Sequence, residues 1–334
     1  MPLRVGLDVT PLALTRAGVA RHIRGLVEAL EDEPDVELRR YSFGGGARAL
    51  VPFRDAGWYL AALPALARRD RLDVLHCPSQ RAPIRSAVPV VVTIHDLAVL
   101  RHPETFNAWT RAYSRATLPG VVRAAARVIA VSEFTRRELV ELLGVPEEKI
   151  RVIPNGVGEP FRPEGEAERG DYVLAVSTLE PRKNLERLVE AFGHAELNGT
   201  QLVVAGARGW GDVRVSGKGV RWLGGVTDEQ LARLYRGAGC VAYVSLYEGF
   251  GLPVLEAMAC GAPVVTTRNG AAEELTEGAA VLVDPLDPEA IAAGLAEALE
   301  RRAELRERGL ERARQFDWRR VGRETVEVYR EVAG

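Results

Sequence analysis

A short stretch in the second half of the chain places two carboxylates around two glycines. It reads Glu248-Gly-Phe-Gly-Leu-Pro-Val-Leu-Glu256 and follows an apolar run. Gly249 and Gly251 permit a sharp turn with exposed N–H groups, and Pro253 suits a first helical turn. We therefore expect Glu256 to stand in the first turn of a helix and bind the hydroxyls of a ribose. Glu248 would bind the hydroxyls of a sugar, and the N–H groups of the glycine turn would contact phosphates. A carboxylate that only complements the helix dipole is the alternative for Glu256.

Two neighbouring cations follow another apolar run. Arg182 and Lys183 come after Tyr172–Val176 and before a helical pattern, and Lys183 is one of three lysines in the chain. Adjacent cations at a helix start can hold a diphosphate, because the helix N-terminus adds partial positive charge. The pair therefore predicts a diphosphate clamp, with a solvated surface pair as the alternative.

Two loops of the first half carry weaker signals. Gly18 enters the first helix, where backbone N–H groups can approach a phosphate, although the Gly-x-Gly-x-x-Gly of a dinucleotide site is missing. His95-Asp96 follows Val90–Ile94. The imidazole can hydrogen-bond a hydroxyl while the carboxylate orients the ring. A plain helix-entry glycine and a capping turn are the alternatives.

These loops must be positioned by the β-branched runs and helical periods that alternate along the chain. The alternation predicts parallel sheets with right-handed crossovers, which bind ligands beyond the carboxyl ends of their strands. The predicted strands are 5–9, 36–41, 73–76, 89–94, 128–131, 150–153, 172–176, 201–205, 220–223, 241–244, 263–266 and 280–283. The predicted helices are 19–30, 107–124, 133–143, 185–194, 228–238, 253–260, 288–299 and 317–332.

A segment rich in proline and glycine divides the chain. We predict an α/β domain over 1–158, a linker over 159–170 and a second α/β domain over 171–316. Together the loops describe a nucleotide diphosphate sugar held mainly by the second domain, with the acceptor pocket in the first.

The composition excludes several classes of protein. The chain has 334 residues, of which 47% are hydrophobic and 27% charged, so it is neither disordered, collagen-like nor a coiled coil. Its apolar runs are too short to cross a bilayer, and no signal peptide stands at the start, which predicts a cytoplasmic protein. Three cysteines without metal-ligand spacing predict buried thiols: Cys77, Cys240 and Cys260.

The two halves differ in charge. Residues 1–158 carry 22 Lys and Arg against 17 Asp and Glu, whereas residues 159–334 carry 22 against 29. A basic first half suggests an anionic partner, with chance as the alternative. We expect no nucleic acid partner.

Several of these segments together resemble the family 4 retaining glycosyltransferases, which have the GT-B fold. The stretch from Glu248 to Glu256 matches the E-x7-E signature of that family, and the match extends over nearly the whole chain. Other matching segments are Gly18-Val-Ala-Arg21-His22, Thr93-Ile-His95-Asp96-Leu97, Val131-Ser-Glu-Phe-Thr135, Ile153-Pro-Asn-Gly-Val157, Pro181-Arg-Lys-Asn184 and Ala280-Val-Leu-Val-Asp-Pro285. The first two are most similar to bacterial mannosyltransferases that build O-antigen and other surface polysaccharides.

The resemblance implies which residues bind the donor diphosphate. Arg182 and Lys183 would hold it, with Gly18 beneath it. Gly251 and Leu252 would offer N–H groups to the phosphate.

The resemblance also implies how the rest of the donor is held and how the chain is folded. Glu256 would bind the ribose, Glu248 the transferred sugar, and His95 the donor sugar near the reaction centre. The fold would be two Rossmann-like domains facing a cleft, with the C-terminal helix 317–334 crossing back to the first. The family's usual Pro-Glu pair is missing, and the likelier match, Glu274, receives no role.

The implied reaction is retaining transfer of a hexose, in the first instance mannose from GDP-mannose, to a glycan or lipid-linked acceptor. No carboxylate of the first-domain loops is an obvious nucleophile, which favours same-face transfer. No Asp-x-Asp occurs, so we expect neither a metal nor another cofactor. The alternatives are UDP-glucose or UDP-N-acetylglucosamine as donor, a nucleotide-sugar epimerase, a pyridoxal phosphate-dependent phosphorylase, and a non-catalytic nucleotide-sugar binder.

Basic and aromatic residues interleave over residues 39–71. Seven arginines stand there against Asp55 and Asp70, with Trp58, Tyr59 and Leu60 among them. This pattern suits an interfacial helix on the anionic inner face of the cell membrane. The alternative is that Trp58 and Leu60 pack into the domain core.

Overall fold

The chain forms two compact units, each built on one parallel sheet. The computed structural model describes residues 2–13, 18–44, 53–197, 199–268 and 270–334, with the backbone alone over 53–56. The first unit comprises Met1–Gly156 and Asp317–Gly334, and the second comprises Val157–Phe316.

The first unit has a six-stranded parallel sheet in the order β2-β1-β3-β4-β5-β6. Its strands are β1 (Leu3–Asp8), β2 (Val36–Tyr41), β3 (Val74–Cys77), β4 (Val90–Ile94), β5 (Arg127–Ala130) and β6 (Ile150–Val152). Its helices include α1 (Gly18–Glu31), α2 (Leu63–Arg69), α3 (Ala98–Arg101), α4 (Ala108–Ala124) and α5 (Glu133–Leu143). A π-helical segment, Phe53–Ala62, leads into α2.

Local sequence explains the ends and burial of these elements. β4 reads Val-Val-Val-Thr-Ile and is buried throughout, as expected for a parallel strand covered on both faces. Ser132 accepts a hydrogen bond from Thr135 N at the start of α5, and Gly144 ends that helix at φ 61°.

The second unit repeats the design with the order β12-β11-β10-β7-β8-β9. Its strands are β7 (Tyr172–Val176), β8 (Gln201–Ala205), β9 (Val220–Gly224), β10 (Cys240–Tyr243), β11 (Val264–Thr267) and β12 (Val281–Val283). Its helices include α6 (Leu185–His194), α7 (Asp228–Gly237), α8 (Leu252–Ala259), α9 (Gly270–Thr276), α10 (Pro288–Glu300) and α11 (Arg302–Ala313).

The C-terminal helix α12 (Trp318–Ala333) belongs to the first unit. The hydroxyl of Tyr329 lies 2.7 Å from His76 Nδ1 in β3, and the ring of Trp318 lies against Gly25 of α1. The predicted return of this helix to the first domain is therefore confirmed.

Every predicted strand and long helix is present, and each strand end lies within two residues of its predicted position. The helical periodicity predicted over 56–68 corresponds to the π-helical segment and α2. Three further helices were not predicted: α3 and α9 are too short to show a period, and α11 is dominated by charge. Residues 159–170, predicted as a linker, belong to the second unit, where Glu168 N donates to Arg233 O at 3.0 Å.

Candidate functional site

The predicted residues of the second unit lie where its strand order reverses. From β7 the chain runs outward through β8 to β9, then returns to β10 on the other side of β7. Since β7 and β10 are parallel neighbours, the loops that follow them leave the same sheet edge side by side. Open parallel sheets bind ligands at this reversal.

A compact ionic cluster joins these two loops. Lys183 Nζ lies 2.6 Å from Glu248 Oε1 and donates to the Tyr243 hydroxyl at 3.1 Å. Arg182 Nη1 lies 3.0 Å from the same Glu248 oxygen, while Nη2 donates to Glu180 Oε1 at 2.8 Å. The structure thus brings Arg182, Lys183 and Glu248 together and adds Glu180 and Tyr243. The predicted contacts of these residues with a donor stay predictions.

The groups of the cluster hold each other in their charged forms. Burial alone would raise the pKa of Glu248, but the Arg182 and Lys183 charges outweigh it and hold this pKa at about 2. Burial would lower the pKa of Lys183, and the Glu248 carboxylate reverses that effect and raises it. Burial raises the pKa of Tyr243 to about 12, so the phenol stays neutral. A carboxylate and an ammonium are therefore both present at neutral pH.

The two cations differ in how they are engaged. Arg182 is 8% exposed, and its Nη1 also donates to the Tyr247 carbonyl oxygen at 2.6 Å. The Lys183 ammonium carries three N–H bonds, of which its described partners, Glu248 and Tyr243, take two. This arrangement suits Lys183 for contact with a ligand and Arg182 for holding Glu248.

Glu256 is a buried carboxylate inside an apolar helix. α8 reads Leu-Pro-Val-Leu-Glu-Ala-Met-Ala, and Glu256 is 2% exposed, with Oε2 accepting from the Tyr235 hydroxyl at 3.1 Å. The expectation that Glu256 stands in the first turn is wrong. The helix already begins at Leu252, so Glu256 is its fifth residue.

The start of α8 leaves the Leu252 N–H as its candidate donor to a ligand, because Pro253 has no N–H and Val254 N and Leu255 N donate to Gly251 O at 2.9 and 3.2 Å. Gly251 precedes the helix at φ 104°, a conformation that glycine adopts without the steric cost of a Cβ. Leu252 is the first residue of the helix, where an N–H group has no acceptor within the helix. Contact of Gly251 and Leu252 with a phosphate stays a prediction.

Asn184 connects its own loop to the ends of two other strands through hydrogen bonds, a role that the sequence analysis missed. Its side-chain amide donates to the carbonyl oxygens of Val244 at 3.0 Å and Pro285 at 2.7 Å. Its φ of 60° is one that asparagine tolerates better than most residues. An asparagine directly after Lys183 is the signal that could have revealed this bracket.

In the first unit, the half-buried His95 packs against the buried His22. Its Nε2 lies 3.2 Å from the Pro78 carbonyl oxygen. The His22 ring meets the His95 ring edge-on, with centroids 4.6 Å apart, and His22 Nδ1 lies 2.7 Å from Asn155 Oδ1. Three segments of the family match, around His22, His95 and Asn155, thus converge at one place.

His22 and His95 are held neutral. Burial lowers the pKa of His95, and burial with the nearby His95 lowers that of His22 well below its usual range. The proposed orientation of His95 by Asp96 is wrong. Asp96 Oδ1 accepts from Ala98 N at 3.0 Å, so the carboxylate caps the turn, as the alternative had it.

Gly18 is the first residue of α1, in the position predicted for phosphate contact. Its role toward the donor, like that of His95, stays a prediction. Among the described residues, no group of three or more His, Cys, Asp or Glu side chains is placed to hold a metal ion. Metal independence likewise stays a prediction.

The segment proposed for membrane contact lies partly outside the described residues, including Arg48 and the side chain of Arg54. Within it, Trp58 and Tyr59 are buried in the core, whereas Leu60 is 61% exposed. Within the described ranges, no helix combines the length and apolar character needed to cross a membrane. Membrane contact stays a prediction.

Comparison with known proteins identifies both halves of the chain. Residues 16–158 match the glycosyltransferase family 4 domain, and residues 158–316 match the glycosyl transferases group 1 domain. O-antigen chain mannosyltransferase B of Escherichia coli is 32% identical over 293 residues, which cover 80% of this chain and 76% of that protein.

Two further proteins are similar over nearly the whole length. Phosphatidyl-myo-inositol mannosyltransferase of Mycobacterium leprae is 29% identical, over 99% of this chain and 97% of that protein. The structure of Anabaena HepE in complex with UDP and glucose superimposes with a TM-score of 0.75 at 20% identity, covering 98% of this chain and 99% of that one. The domain matches, the E. coli relative and the two Rossmann-like sheets agree, and the chain is therefore a glycosyltransferase of family 4 with the GT-B fold.

Proposed function

We propose that the chain transfers mannose from GDP-mannose to a glycan or lipid-linked acceptor, with retention at the anomeric carbon and without a metal ion. The observation that carries the proposal is the Lys183–Glu248 pair beside the start of α8. A nucleotide diphosphate sugar needs a cation for its phosphate and a carboxylate for its hydroxyls. The choice of mannose is supported by the mannosyltransferases of Escherichia coli and Mycobacterium leprae.

In this proposal the acceptor oxygen bonds to the anomeric carbon on the face that the diphosphate leaves. The bond from that carbon to the phosphate oxygen breaks, and the acceptor proton passes to this oxygen. The Lys183 ammonium and the Leu252 N–H at the start of α8 stabilise the charge that grows there. Glu248, which is ionised, accepts a hydrogen bond from a hydroxyl of the transferred sugar.

The carboxylates at the strand ends of the first unit favour same-face transfer and disfavour a mechanism with a covalent intermediate. Asp8 is fully buried and accepts hydrogen bonds from Thr10 and Tyr59. Asp96 is engaged with Ala98 N. Neither is presented as a nucleophile for the anomeric carbon.

The test distinguishes between the candidate donors and between retention and inversion at the anomeric carbon. The purified chain is incubated with methyl α-D-mannopyranoside and with GDP-mannose, UDP-glucose or UDP-N-acetylglucosamine, each with and without EDTA. We expect an α-linked product from GDP-mannose alone, at a rate that EDTA does not change. A β-linked product would contradict retention, and preferred use of a UDP-sugar would replace the donor. An epimerised sugar nucleotide formed from donor alone would point to the epimerase instead.

A further inference from the structure

A half-exposed aromatic pair stands at the start of α4. Trp109 is 47% exposed, and its ring lies nearly parallel to that of Tyr113, with centroids 6.0 Å apart and an angle of 24° between the planes. Residues four apart share one face of a helix. A tryptophan gains more from burial than most side chains, so an oriented one left half in water offers surface to a ligand.

A loop of the same unit links this pair to His95. The guanidinium carbon of Arg81 lies 5.5 Å from the centre of the Tyr113 ring. Arg81 stands in the loop that follows β3, and Pro78 of the same loop meets His95 Nε2 at 3.2 Å. The aromatic pair and His95 are thus attached to one loop at the carboxyl edge of the sheet.

The chemistry of this surface fits a sugar ring. A pyranose presents C–H bonds on one face, which pack on an aromatic ring, and hydroxyls at its rim, which accept hydrogen bonds from a guanidinium. The surrounding segment, residues 78–116, carries five arginines against two acidic residues. Of these arginines, Arg101 is paired with Glu138 and Glu141. The surface therefore suits a neutral or phosphate-bearing glycan and disfavours a cationic one.

We propose that Trp109, Tyr113 and Arg81 form an acceptor subsite that stacks a pyranose ring of the acceptor glycan. The proposal rests on the proposed glycosyl transfer, because it supplies the acceptor of that reaction. A glycan is favoured over a lipid surface because Trp109 is the one exposed large hydrophobic side chain among the described residues of α4, whereas a lipid surface needs an extended apolar face.

The test uses saturation-transfer difference NMR, which reports weak glycan binding without activity. The full chain and its Trp109→Ala, Trp109→Phe and Leu60→Ala variants are titrated with α-1,3-mannobiose and with chitobiose. Leu60→Ala is the matched control, since it removes an exposed apolar side chain elsewhere in the first unit. Donor hydrolysis in the absence of acceptor is measured for each variant.

We expect a signal on the sugar C–H protons in the wild type, and an affinity roughly tenfold lower in Trp109→Ala. Trp109→Phe should restore most of the affinity, and Leu60→Ala should leave the affinity unchanged. The rate of donor hydrolysis should be the same in the wild type and all three variants. Equal binding by Trp109→Ala, or no binding of either glycan by the wild type, overturns the subsite.

Two further results are decisive. If Trp109→Ala instead loses binding to anionic phosphatidylglycerol vesicles with its glycan binding intact, the face is a lipid surface and the proposal is wrong. If the wild type does not hydrolyse the donor, that result contradicts the proposed function. The NMR titration still tests the subsite, because it measures glycan binding without activity.

Discussion

At the scale of single residues, Arg182 and Lys183 are neighbours with different tasks. Arg182→Ala would remove the cation that Glu180 and Glu248 share, while Glu248 keeps Lys183, so we expect the free energy of unfolding to fall by about 1–3 kcal/mol. Lys183→Ala keeps the Arg182–Glu248 pair, so turnover should fall by about 10²–10³ with a smaller loss of stability. Urea denaturation and kcat separate the two effects.

Arg221→Ala is the control for this pair, because it removes an exposed arginine from the same unit. It should change stability by less than about 0.5 kcal/mol. Equal losses of stability in Arg182→Ala and Lys183→Ala would contradict the division of tasks.

Because Glu248 is ionised, we expect the stability of the folded chain to depend on pH in the acid range. Its pKa is depressed to about 2 in the folded chain, against about 4.3 when unfolded. Its contribution to stability is therefore present above about pH 4.3 and lost as the pH falls toward 2. The difference in unfolding free energy between wild type and Glu248→Gln should shrink over that range, and a constant difference would argue against an ionised Glu248.

At the scale of elements, the start of α8 is the part of the site that contacts the donor phosphate in the proposed function. Gly251→Ala forces a side chain into a φ of 104°, which we expect to cost about 1–2 kcal/mol and to raise the KM for donor by moving the first turn. Gly193→Ala in α6 is the control, since a Cβ there meets nothing within 4 Å. Thermal unfolding and donor KM are measured for both, and an unchanged KM in Gly251→Ala would remove the turn from the site.

At the scale of the whole molecule, the last helix completes the first unit. Removing residues 317–334 deletes the Tyr329–His76 contact and the Glu331 pairs with Arg127 and Arg151. We expect hydrogen exchange to accelerate in α1 and β3 and to change less over residues 171–316. Glu327→Ala, an exposed change on the same helix, should leave exchange unaltered. Unchanged protection of α1 after the deletion would contradict this role.

The sequence by itself determined which segments form the parallel strands of both sheets. Runs such as Val90–Ile94 are β-branched and buried on both faces, and local signals such as Ser132 and Gly144 set helix ends without help from distant residues. The E-x7-E stretch and the Arg182-Lys183 pair were also visible, because strand-end loops in parallel sheets carry the ligand site.

Only the tertiary structure decided which side chains meet. Lys183 meets Tyr243, and Asn184 meets Val244, across 60 residues of chain, and His22 and Asn155 are 133 residues apart in the chain yet hydrogen-bonded. The turn cap of Asp96 and the position of Glu256 are local features, and they were misjudged because local spacing leaves turn contacts and helix boundaries open by a residue or two. Hydrogen-bond partners and burial depend on packing between elements, which local spacing does not encode.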